Sequence, residues 1–362
     1  MVGVFGKRLA SRRFLSGFVL GAAVSTASCL TAVHLFLLQE KELHVEPPPE
    51  PSEDPVIKEY GFPVTGAEVR HYANHALSYD QERRIPRWVI EHISKSKIVG
   101  SANRGHCKFK RDPNVPAMFS AANEDYLRSG WSRGHMAPAG DNKFSLQAMA
   151  ETFYLSNIVP QNYENNAGFW NRMEMYCRDL TAKFDDVWVV SGPLVLPQTE
   201  EDGKRKVTYT VIGKDDVAVP SHLFKVILAR KSTRDNEPLV LGAFVVPNSP
   251  ISFSHQLPEF QVDIEELEKM SGLMFFPRLD KKKDFKNICE VHHCKLMDFA
   301  EFTLYISGRK VQSAKTTERL EKVLSELEES GVQPDEYLLN LYKKKMNEML
   351  QEQKVPAERK SG

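Results

Sequence analysis

The sequence carries no excess charge of either sign, because 48 lysine and arginine residues balance 48 aspartate and glutamate residues in a chain of 362. A neutral chain does not attract a polyanion through its overall field, so any contact with nucleic acid must come from a local basic cleft. Cysteine is also scarce, and its five residues form an odd, widely spread set. This excludes the dense, even disulfide framework of a small secreted domain, and mostly reduced thiols are expected.

Apolar residues, in contrast, are sufficient for a sizeable core. Hydrophobic residues make up 41% of the chain and aromatic residues 10%, which excludes disorder of the whole chain. The length allows one large domain with appendages, or two domains. No internal repeat long enough for a solenoid is visible.

The N-terminal part contains a long run without charge. Residues 14–38 include no Asp, Glu, Lys or Arg, and they follow a basic flank, residues 1–13. About 20 apolar residues span a bilayer, so residues 14–38 are predicted to form a transmembrane signal-anchor. The flank lacks acidic residues, as mitochondrial targeting segments do, whereas a cleaved secretory signal, the alternative, should have a shorter apolar region. The expected location is the mitochondrial inner membrane, with the remaining chain facing the intermembrane space.

The sequence after the anchor divides into a linker, a folded domain and a tail. Residues 39–58 are rich in proline and acidic side chains and are predicted to form an extended linker. A folded domain is expected over residues 59–312, a helical C-terminal extension over 313–353 and a disordered tail over 354–362. The extension is predicted from apolar residues at helical spacing in 319–328 and 335–350.

The folded domain is predicted to be α+β with a central antiparallel or mixed sheet. Strand patterns follow one another closely, with Pro-, Gly- and Asp-rich turns between them, at residues 88–93, 187–196, 207–213, 221–229 and 239–246. Near-consecutive strands argue against a doubly wound parallel sheet. Residues 79–86 are expected to form a polar turn, and Pro160 to end a strand over 154–159.

A short turn-bounded segment, Trp131 to Asp141, places His135 directly after Arg133 and Gly134. Phosphodiester hydrolysis needs a group that takes the proton of the attacking water, and positive charge at the phosphate. A histidine with a pKa near its usual 6.5 is largely neutral at physiological pH and can take that proton. The plain alternative is a structural or surface histidine, which is the more frequent role of a lone histidine.

A predicted helix downstream adds three polar residues. Asn166 offers a hard amide oxygen suited to Mg²⁺, and Glu174 follows it. On a regular helix Glu174 lies about 80° around and about 12 Å along from Asn166, so we expect it to organise the ion's water shell instead of sharing the ion directly. Arg178 falls on the face of Glu174. The alternatives are a helix cap at Asn166 and a surface ion pair between the other two.

The most basic stretch of the folded part is Lys95 to Arg111, just upstream of the histidine segment. A solvated loop is the common interpretation of an isolated charge run. Its position favours contact with nucleic acid, and the residues expected to bind it are Arg104, Lys108 and Lys143.

These motifs resemble the DNA/RNA non-specific endonucleases that carry a ββα-metal finger. The resemblance extends from about residue 60 to 304 and also includes Tyr154 to Gln161, Asn166 with Trp170 and Glu174, Ser191-Gly192-Pro193, and Ala218 to His222. It implies that His135 is the general base, that Asn166 is the direct ligand of Mg²⁺, with Mn²⁺ as the alternative ion, and that Glu174 organises the hydrated metal. It also implies support of phosphate binding or of the metal cluster by Arg104, Arg133, Asn157 and Arg178.

The resemblance implies a metal-dependent phosphodiester hydrolase that cuts DNA and RNA with little sequence preference, often as a homodimer. Endonuclease and exonuclease action and a role in mitochondrial DNA processing or repair are expected. Ser132 stands where the family usually has Asp, which puts metal affinity in doubt. The main alternative is therefore a non-catalytic, membrane-anchored nucleic-acid-binding relative. The tail after about Ala314 also departs from the family, and we expect its helices to close one end of the cleft and favour attack from a strand terminus.

A second candidate site is the segment Cys289 to Cys294, which contains two cysteines and two histidines. Four ligands within six residues cannot easily surround a tetrahedral zinc ion, so zinc binding is disfavoured. Two free thiols are expected ahead of a local disulfide.

Overall fold

The computed structural model describes residues 65–232, 238–279 and 285–358, which belong to one compact unit spanning residues 64–362. The expected flank, anchor and linker (residues 1–13, 14–38 and 39–58) lie outside the described residues. Within the described ranges, no helix is both long and apolar enough to cross a bilayer.

Strands of two to nine residues are distributed along the described part of the chain. They are β1 Val69–His71, β2 His75–Asp80, β3 Ile85–Ile93, β4 Ser132–His135, β5 Ile158–Gln161, β6 Asp186–Leu194, β7 Gln198–Thr199, β8 Arg205–Lys206, β9 Val211–Ile212, β10 Val217–Ala218, β11 His222–Arg230, β12 Val240–Pro247, β13 Gln261–Val262 and β14 Lys286–Asn287. The predicted strand at 207–213 is thus reduced to β9.

The α-helices are α1 Asn123–Tyr126, α2 Leu146–Glu151, α3 Tyr163–Asn165, α4 Asn171–Leu180, α5 Ile264–Ser271, α6 Ile288–His292, α7 Phe299–Ser313, α8 Thr317–Glu329 and α9 Glu336–Glu358. A π-helical turn, Asn166–Trp170, joins α3 to α4. Turns of 3-10 helix occupy Arg104–His106, Ala117–Phe119, Ala139–Asp141, Leu155–Asn157 and Leu257–Phe260.

The central sheet has the strand order β1-β2-β3-β6-β11-β12-β13, with β14 on β12. All its pairs are antiparallel except β12 with β14, which run parallel. The prediction of an α+β fold around an antiparallel or mixed sheet is therefore confirmed. The parallel pair involves only two residues of β14, too short to show as a strand pattern in the sequence.

The central strands are buried on both faces because their alternate side chains enter two different apolar clusters. In β6, Val187 and Val189 join the large core cluster, whereas Val190 and Leu194 join a smaller one on the opposite face. Successive side chains of a strand point to opposite faces, so this alternation follows from the strand period. Helix α4 covers the large-core face and α5 the other, which gives three layers.

Two proline positions made the predicted strand limits wrong. Pro86 lies inside β3, where the register between β2 and β3 shifts. Because β2 extends to Asp80 and β3 begins at Ile85, the turn predicted at residues 79–86 is confined to residues 81–84. Pro160 lies within β5, opposite Arg133 in a two-stranded sheet. Proline lacks the N–H that a ladder needs, but bulges and edge strands tolerate it.

Helices α7, α8 and α9 pack around a separate cluster of apolar side chains: Val311, Leu320, Val323, Leu327, Leu338 and Met349. The last two helices match the predicted amphipathic segments, and α9 continues to Glu358, into the stretch expected to be disordered. Helix α7 was not predicted. Its start is marked by a capping box between Asp298 and Glu301, which is a recognisable sequence signal for a helix.

Candidate active site

The antiparallel pair β4 and β5 precedes the helical run from α3 through the π turn to α4, which produces the expected ββα arrangement. His135 is the last residue of β4, opposite Ile158. Gly134 is required before it, because a Cβ there would lie 2.0 Å from Oε1 of Gln161. The Gln161 amide in turn donates to Oδ1 of Asn165 at 2.8 Å, which fixes the strand pair against the helix.

The π turn corrects the predicted angle between Asn166 and Glu174. A π turn holds one residue more than an α turn, so the eight positions from Asn166 to Glu174 rotate about the helix axis by as much as about seven α-helical positions. The angle between the two side chains around the axis therefore falls from about 80° to about 20°. Both side chains line one cavity of about 590 Å³. The helix therefore presents the two oxygen-bearing groups on the same side.

This cavity collects most of the residues that the sequence singled out: Arg104, Arg133, His135, Lys143, Asn166, Glu174 and Arg178. It also includes Arg309 from α7, which sequence reasoning missed because α7 itself was not predicted. The lining contains five cationic side chains and a single carboxylate, that of Glu174. A neutral protein thus has a local positive site that suits a polyanion.

Two predicted residues do not line the cavity. Lys108 is exposed elsewhere on the surface. Asn157 is fully buried, and its amide accepts from Ala137 N at 3.0 Å and donates to Ala137 O at 2.9 Å and Thr152 O at 2.8 Å. The side chain of Asn157 therefore fixes the backbone that follows His135 instead of pointing to the site.

The imidazole of His135 packs against two phenylalanine rings, Phe109 at 5.3 Å and Phe153 at 4.9 Å between centroids. Its Nε2 is buried and has no hydrogen-bond partner. Burial, and secondarily the charge of Arg104, lowers the pKa of His135 to about 3. The imidazole is consequently neutral at physiological pH, and Nε2 keeps an unused lone pair when Nδ1 carries the proton.

Arg178 is held by a buried ion pair. Its Nη1 donates to Oδ1 of Asp141 at 2.7 Å, and the Asp141 side chain is 1% exposed. Asp141 and then Glu174 raise the pKa of Arg178 against the effect of burial, so the guanidinium stays charged. Gly140 allows this approach, because a Cβ there would lie 3.0 Å from the same Nη1. Asp141 lies at the end of the histidine segment, and no role was predicted for it from the sequence.

Burial raises the pKa of Glu174 to about 7, an effect that Lys225 and Arg178 partly offset. Lys225 is itself buried in β11, where Nζ donates to Oγ of Ser191 at 2.6 Å and lies 4.6 Å from the centre of the Trp170 ring. The indole of Trp170 donates to the carbonyl oxygen of His135 at 3.3 Å. The sequence signal for this buried support is a lysine within an otherwise apolar strand.

Arg133 lies between two aromatic rings, at 5.3 Å from the centroids of both Phe109 and Tyr126. Its Nη2 donates to the carbonyl of Asn123 at 2.9 Å. Arg104 lies 5.9 Å from the Phe153 ring. Stacking keeps these guanidinium groups ordered while their charge remains available to an anion.

The segment Cys289 to Cys294 forms a disulfide, so the preference for free thiols was wrong. His293 and Cys294 both have left-handed backbone conformations, with φ of 58° and 47°, which curl the chain back until the two Cα atoms are 4.7 Å apart. The hydroxyl of Tyr176 in α4 contacts Sγ of Cys294 at 3.5 Å. Within the described ranges, no three His, Cys, Asp or Glu side chains cluster to hold a metal ion.

Comparison with known proteins gives a consistent result. The profile of the family described as DNA/RNA non-specific endonuclease matches residues 53–282, and that of the endo/exonuclease (EXOG) C-terminal domain matches residues 297–345. The chain is 65% identical to "Nuclease EXOG, mitochondrial" of Xenopus laevis, over 96% of each chain. It is 62% identical to the protein of the same name from Homo sapiens, over 94% of this chain and 93% of that one.

More distant similarities cover about two thirds of the chain. The chain is 42% identical to "Endonuclease G, mitochondrial" of Bos taurus, over 62% of this chain and 73% of that one. A solved structure titled "Crystal structure of the EndoG/EndoGI complex: Mechanism of EndoG inhibition" matches with a TM-score of 0.59 and 39% identity, over 66% of this chain and 96% of that one.

Proposed function

Because the chain belongs to the DNA/RNA non-specific endonuclease family and is a nuclease, we propose that it hydrolyses phosphodiester bonds of DNA and RNA at the cavity around His135. One observation carries the assignment of the site: an unpaired imidazole nitrogen, an amide oxygen and a carboxylate share a single cavity lined by cations. The names of its relatives support a mitochondrial location.

His135 is the proposed general base. Its lowered pKa keeps the imidazole neutral, and the buried Nε2 is free to accept a proton from the attacking water. The packing of Phe109 and Phe153 holds the ring, and Trp170 holds the backbone carbonyl, so the base needs no reorganisation before it acts. After cleavage the same nitrogen can return the proton to water.

The residues at the cavity fit a hard divalent cation. Asn166 Nδ2 donates to Ser132 Oγ at 3.1 Å, which leaves Oδ1 as its ligand atom, and the Glu174 carboxylate lies on the same side of the helix. Amide and carboxylate oxygens are the donors that Mg²⁺ prefers, and Mn²⁺ accepts them too. When bound, the ion supplies positive charge at the phosphate and at the departing oxygen. The proposed roles are direct ligation by Asn166 and organisation of the ion's water shell by Glu174.

The cationic side chains are the proposed phosphate contacts. Arg178 is held in place by Asp141 and Arg133 by two rings, and Lys143 and Arg104 also line the cavity. Contacts to the nucleic-acid backbone carry no sequence information, which suits a nuclease with little sequence preference. The non-catalytic alternative gains no support from the site, since the base, the amide and the cations are all present.

The C-terminal helices are part of the proposal because Arg309 of α7 reaches the same cavity as His135. We propose that α7 to α9 close one end of the cleft and favour cleavage from a strand terminus. The domain limits 59–312 and 313–353 also remain a proposal. All of α7 lies within residues 297–345, which the C-terminal profile matches, so α7 spans the proposed limit. Deleting residues 314–362, or replacing Arg309 by Ala, should raise the ratio of internal to terminal cuts; an unchanged ratio would reject this role.

We also propose that residues 14–38 anchor the protein in the mitochondrial inner membrane, with the nuclease domain in the intermembrane space. The proposal further includes a homodimer and a role in mitochondrial DNA processing or repair. The uncharged run and its basic flank support the anchor. Carbonate extraction of mitochondria, followed by protease treatment with the outer membrane opened, tests insertion and orientation together.

The central experiment uses protein without residues 1–55, linear DNA or RNA of defined ends, and Mg²⁺. The unaltered domain should degrade both substrates, whereas His135→Ala should bind them without cleavage. If neither nucleic acid were cut in Mg²⁺ or Mn²⁺, the binding-only alternative would stand.

A further inference from the structure

Ser132, the first residue of β4, connects the strand pair to the proposed metal ligand. It lies opposite Gln161 in β5, and its Oγ donates to the Gln161 carbonyl oxygen at 2.8 Å. The same Oγ lies 3.1 Å from Nδ2 of Asn166. One hydroxyl therefore contacts both the strand and the helix of the ββα unit.

The direction of these two hydrogen bonds follows from proton counting. A hydroxyl has one hydrogen, and a carbonyl oxygen can only accept, so the hydrogen of Ser132 is committed to Gln161. Oγ of Ser132 can then only accept a hydrogen bond from Asn166, so the donor group of the amide, Nδ2, must face Oγ. The other end, Oδ1, is turned away from Ser132. The terminal torsion of asparagine is broad and roughly two-fold, so nothing intrinsic to Asn166 selects this orientation.

We propose that Ser132 is a positioning residue whose hydroxyl, fixed as a donor to Gln161, holds the Asn166 amide so that Oδ1 is presented as the metal ligand. This inference rests on the proposed function of Asn166. Ser132 itself contacts neither the ion nor the substrate in this scheme.

The acceptor that fixes Ser132 does not depend on Ser132. Gln161 is held by its pairing in β5 and by its amide, which donates to Asn165 at 2.8 Å. Asn165 in turn donates to the carbonyl oxygens of Pro247 and Ser249, both at 3.1 Å. Removal of the Ser132 hydroxyl should therefore free the Asn166 amide and leave the surrounding frame in place.

The first test observes the amide without metal, in the full chain in detergent with ¹⁵N-labelled asparagine. In the unaltered protein and in Ser132→Thr, which keeps the hydroxyl, the side-chain NH₂ of Asn166 should show slow hydrogen exchange. In Ser132→Ala its exchange should accelerate severalfold. Equal exchange in all three proteins would overturn the proposal, whatever the metal does.

The second test measures Mg²⁺ affinity by calorimetry in a double-mutant cycle. A hydrogen bond contributes about 1 kcal/mol, so Ser132→Ala should weaken binding about fivefold while Ser132→Thr binds as the unaltered chain does. In an Asn166→Ala background the same change should have no further effect. Ser129→Ala is the matched control, since Ser129 Oγ donates to Tyr126 O at 2.9 Å and does not line the cavity.

The outcomes separate the two proposals. Unchanged affinity in Ser132→Ala, or an equal loss with and without Asn166, would overturn the role of Ser132. If Asn166→Ala alone left Mg²⁺ binding intact, the ligand assignment in the proposed function would be wrong, and the amide-exchange result would still decide the role of Ser132. If Ser132→Ala failed to fold, the exchange comparison would be made with Ser132→Gly.

Discussion

The ion pair between Asp141 and Arg178 allows stability and catalysis to be separated. Asp141 is 1% exposed and the Arg178 side chain 12%, with 2.7 Å between Oδ1 and Nη1. At about 4 Å between charge centres and an effective dielectric constant of about 20, their attraction is about 4 kcal/mol. Loss of one partner leaves the other charge buried, which typically costs about 3–5 kcal/mol. We predict that Asp141→Asn, which preserves shape, destabilises the protein by about 3 kcal/mol.

The same substitution should impair cleavage, because Arg178 loses the group that directs it into the cavity. We expect kcat/KM for linear DNA to fall at least about tenfold, equivalent to about 1.4 kcal/mol of transition-state stabilisation. Chemical denaturation gives the stability and initial rates of cleavage give the activity. Both are measured in one buffer at fixed Mg²⁺.

A double variant, Asp141→Asn with Arg178→Met, is the decisive control. It removes both charges, and well-packed neutral replacements of a buried pair are often no less stable than the pair itself. Stability should therefore recover by at least about 1–2 kcal/mol relative to the single variant, while cleavage stays low because the phosphate contact is absent. Additive losses of stability in the double variant, or full activity in Asp141→Asn, would refute the reasoning.

Three further predictions concern stability and the strand pair. Burial lowers the pKa of His75 from 6.5 to about 4, so protonation of this side chain favours the unfolded chain. The free energy of unfolding should therefore be highest above pH 6.5 and should fall by about 3 kcal/mol by pH 4. This loss should be absent in His75→Phe. Gly134→Ala should destabilise the protein by about 1–3 kcal/mol in denaturant titrations, because Cβ would meet Gln161 at 2.0 Å; wild-type stability would contradict this. Cys289→Ser should cost about 2 kcal/mol from the short loop closed by Cys294, and reductant should lower the Tm of the unaltered chain but not of the variant.

Much of the fold was predictable because its long strands carry a clear period. The side chains of Val187 and Val189 face one apolar cluster and that of Val190 faces the other, an alternation that a local sequence pattern predicts. The start of α5 at the cap Asp263 and its end at Gly272, which has a left-handed conformation, are local signals too. The strand limits predicted from prolines were wrong because whether a strand can contain a proline depends on its neighbouring strands. Pro160 fits in β5 because β4 and β5 form a two-stranded sheet. Strand partners are set by tertiary contacts, which a local pattern does not contain.

The site was predictable where motif residues themselves line the cavity, as His135, Asn166 and Glu174 do. It was not predictable where geometry comes from elsewhere. The π turn altered the expected angle between Asn166 and Glu174, although neither residue signals it. Arg309 reaches the cavity from a helix more than a hundred residues downstream in sequence, so only the packing of α7 places it there.

The proposed mechanism depends most directly on His135 acting as a neutral base. Single-turnover cleavage of an end-labelled linear duplex, with saturating Mg²⁺ and enzyme in excess, should fall by about 10²–10⁴-fold in His135→Ala. The Kd for the same duplex in Ca²⁺ should remain within about twofold, and added imidazole should restore part of the rate, since it supplies the missing nitrogen. Cleavage by His135→Ala at the unaltered rate would contradict the central claim.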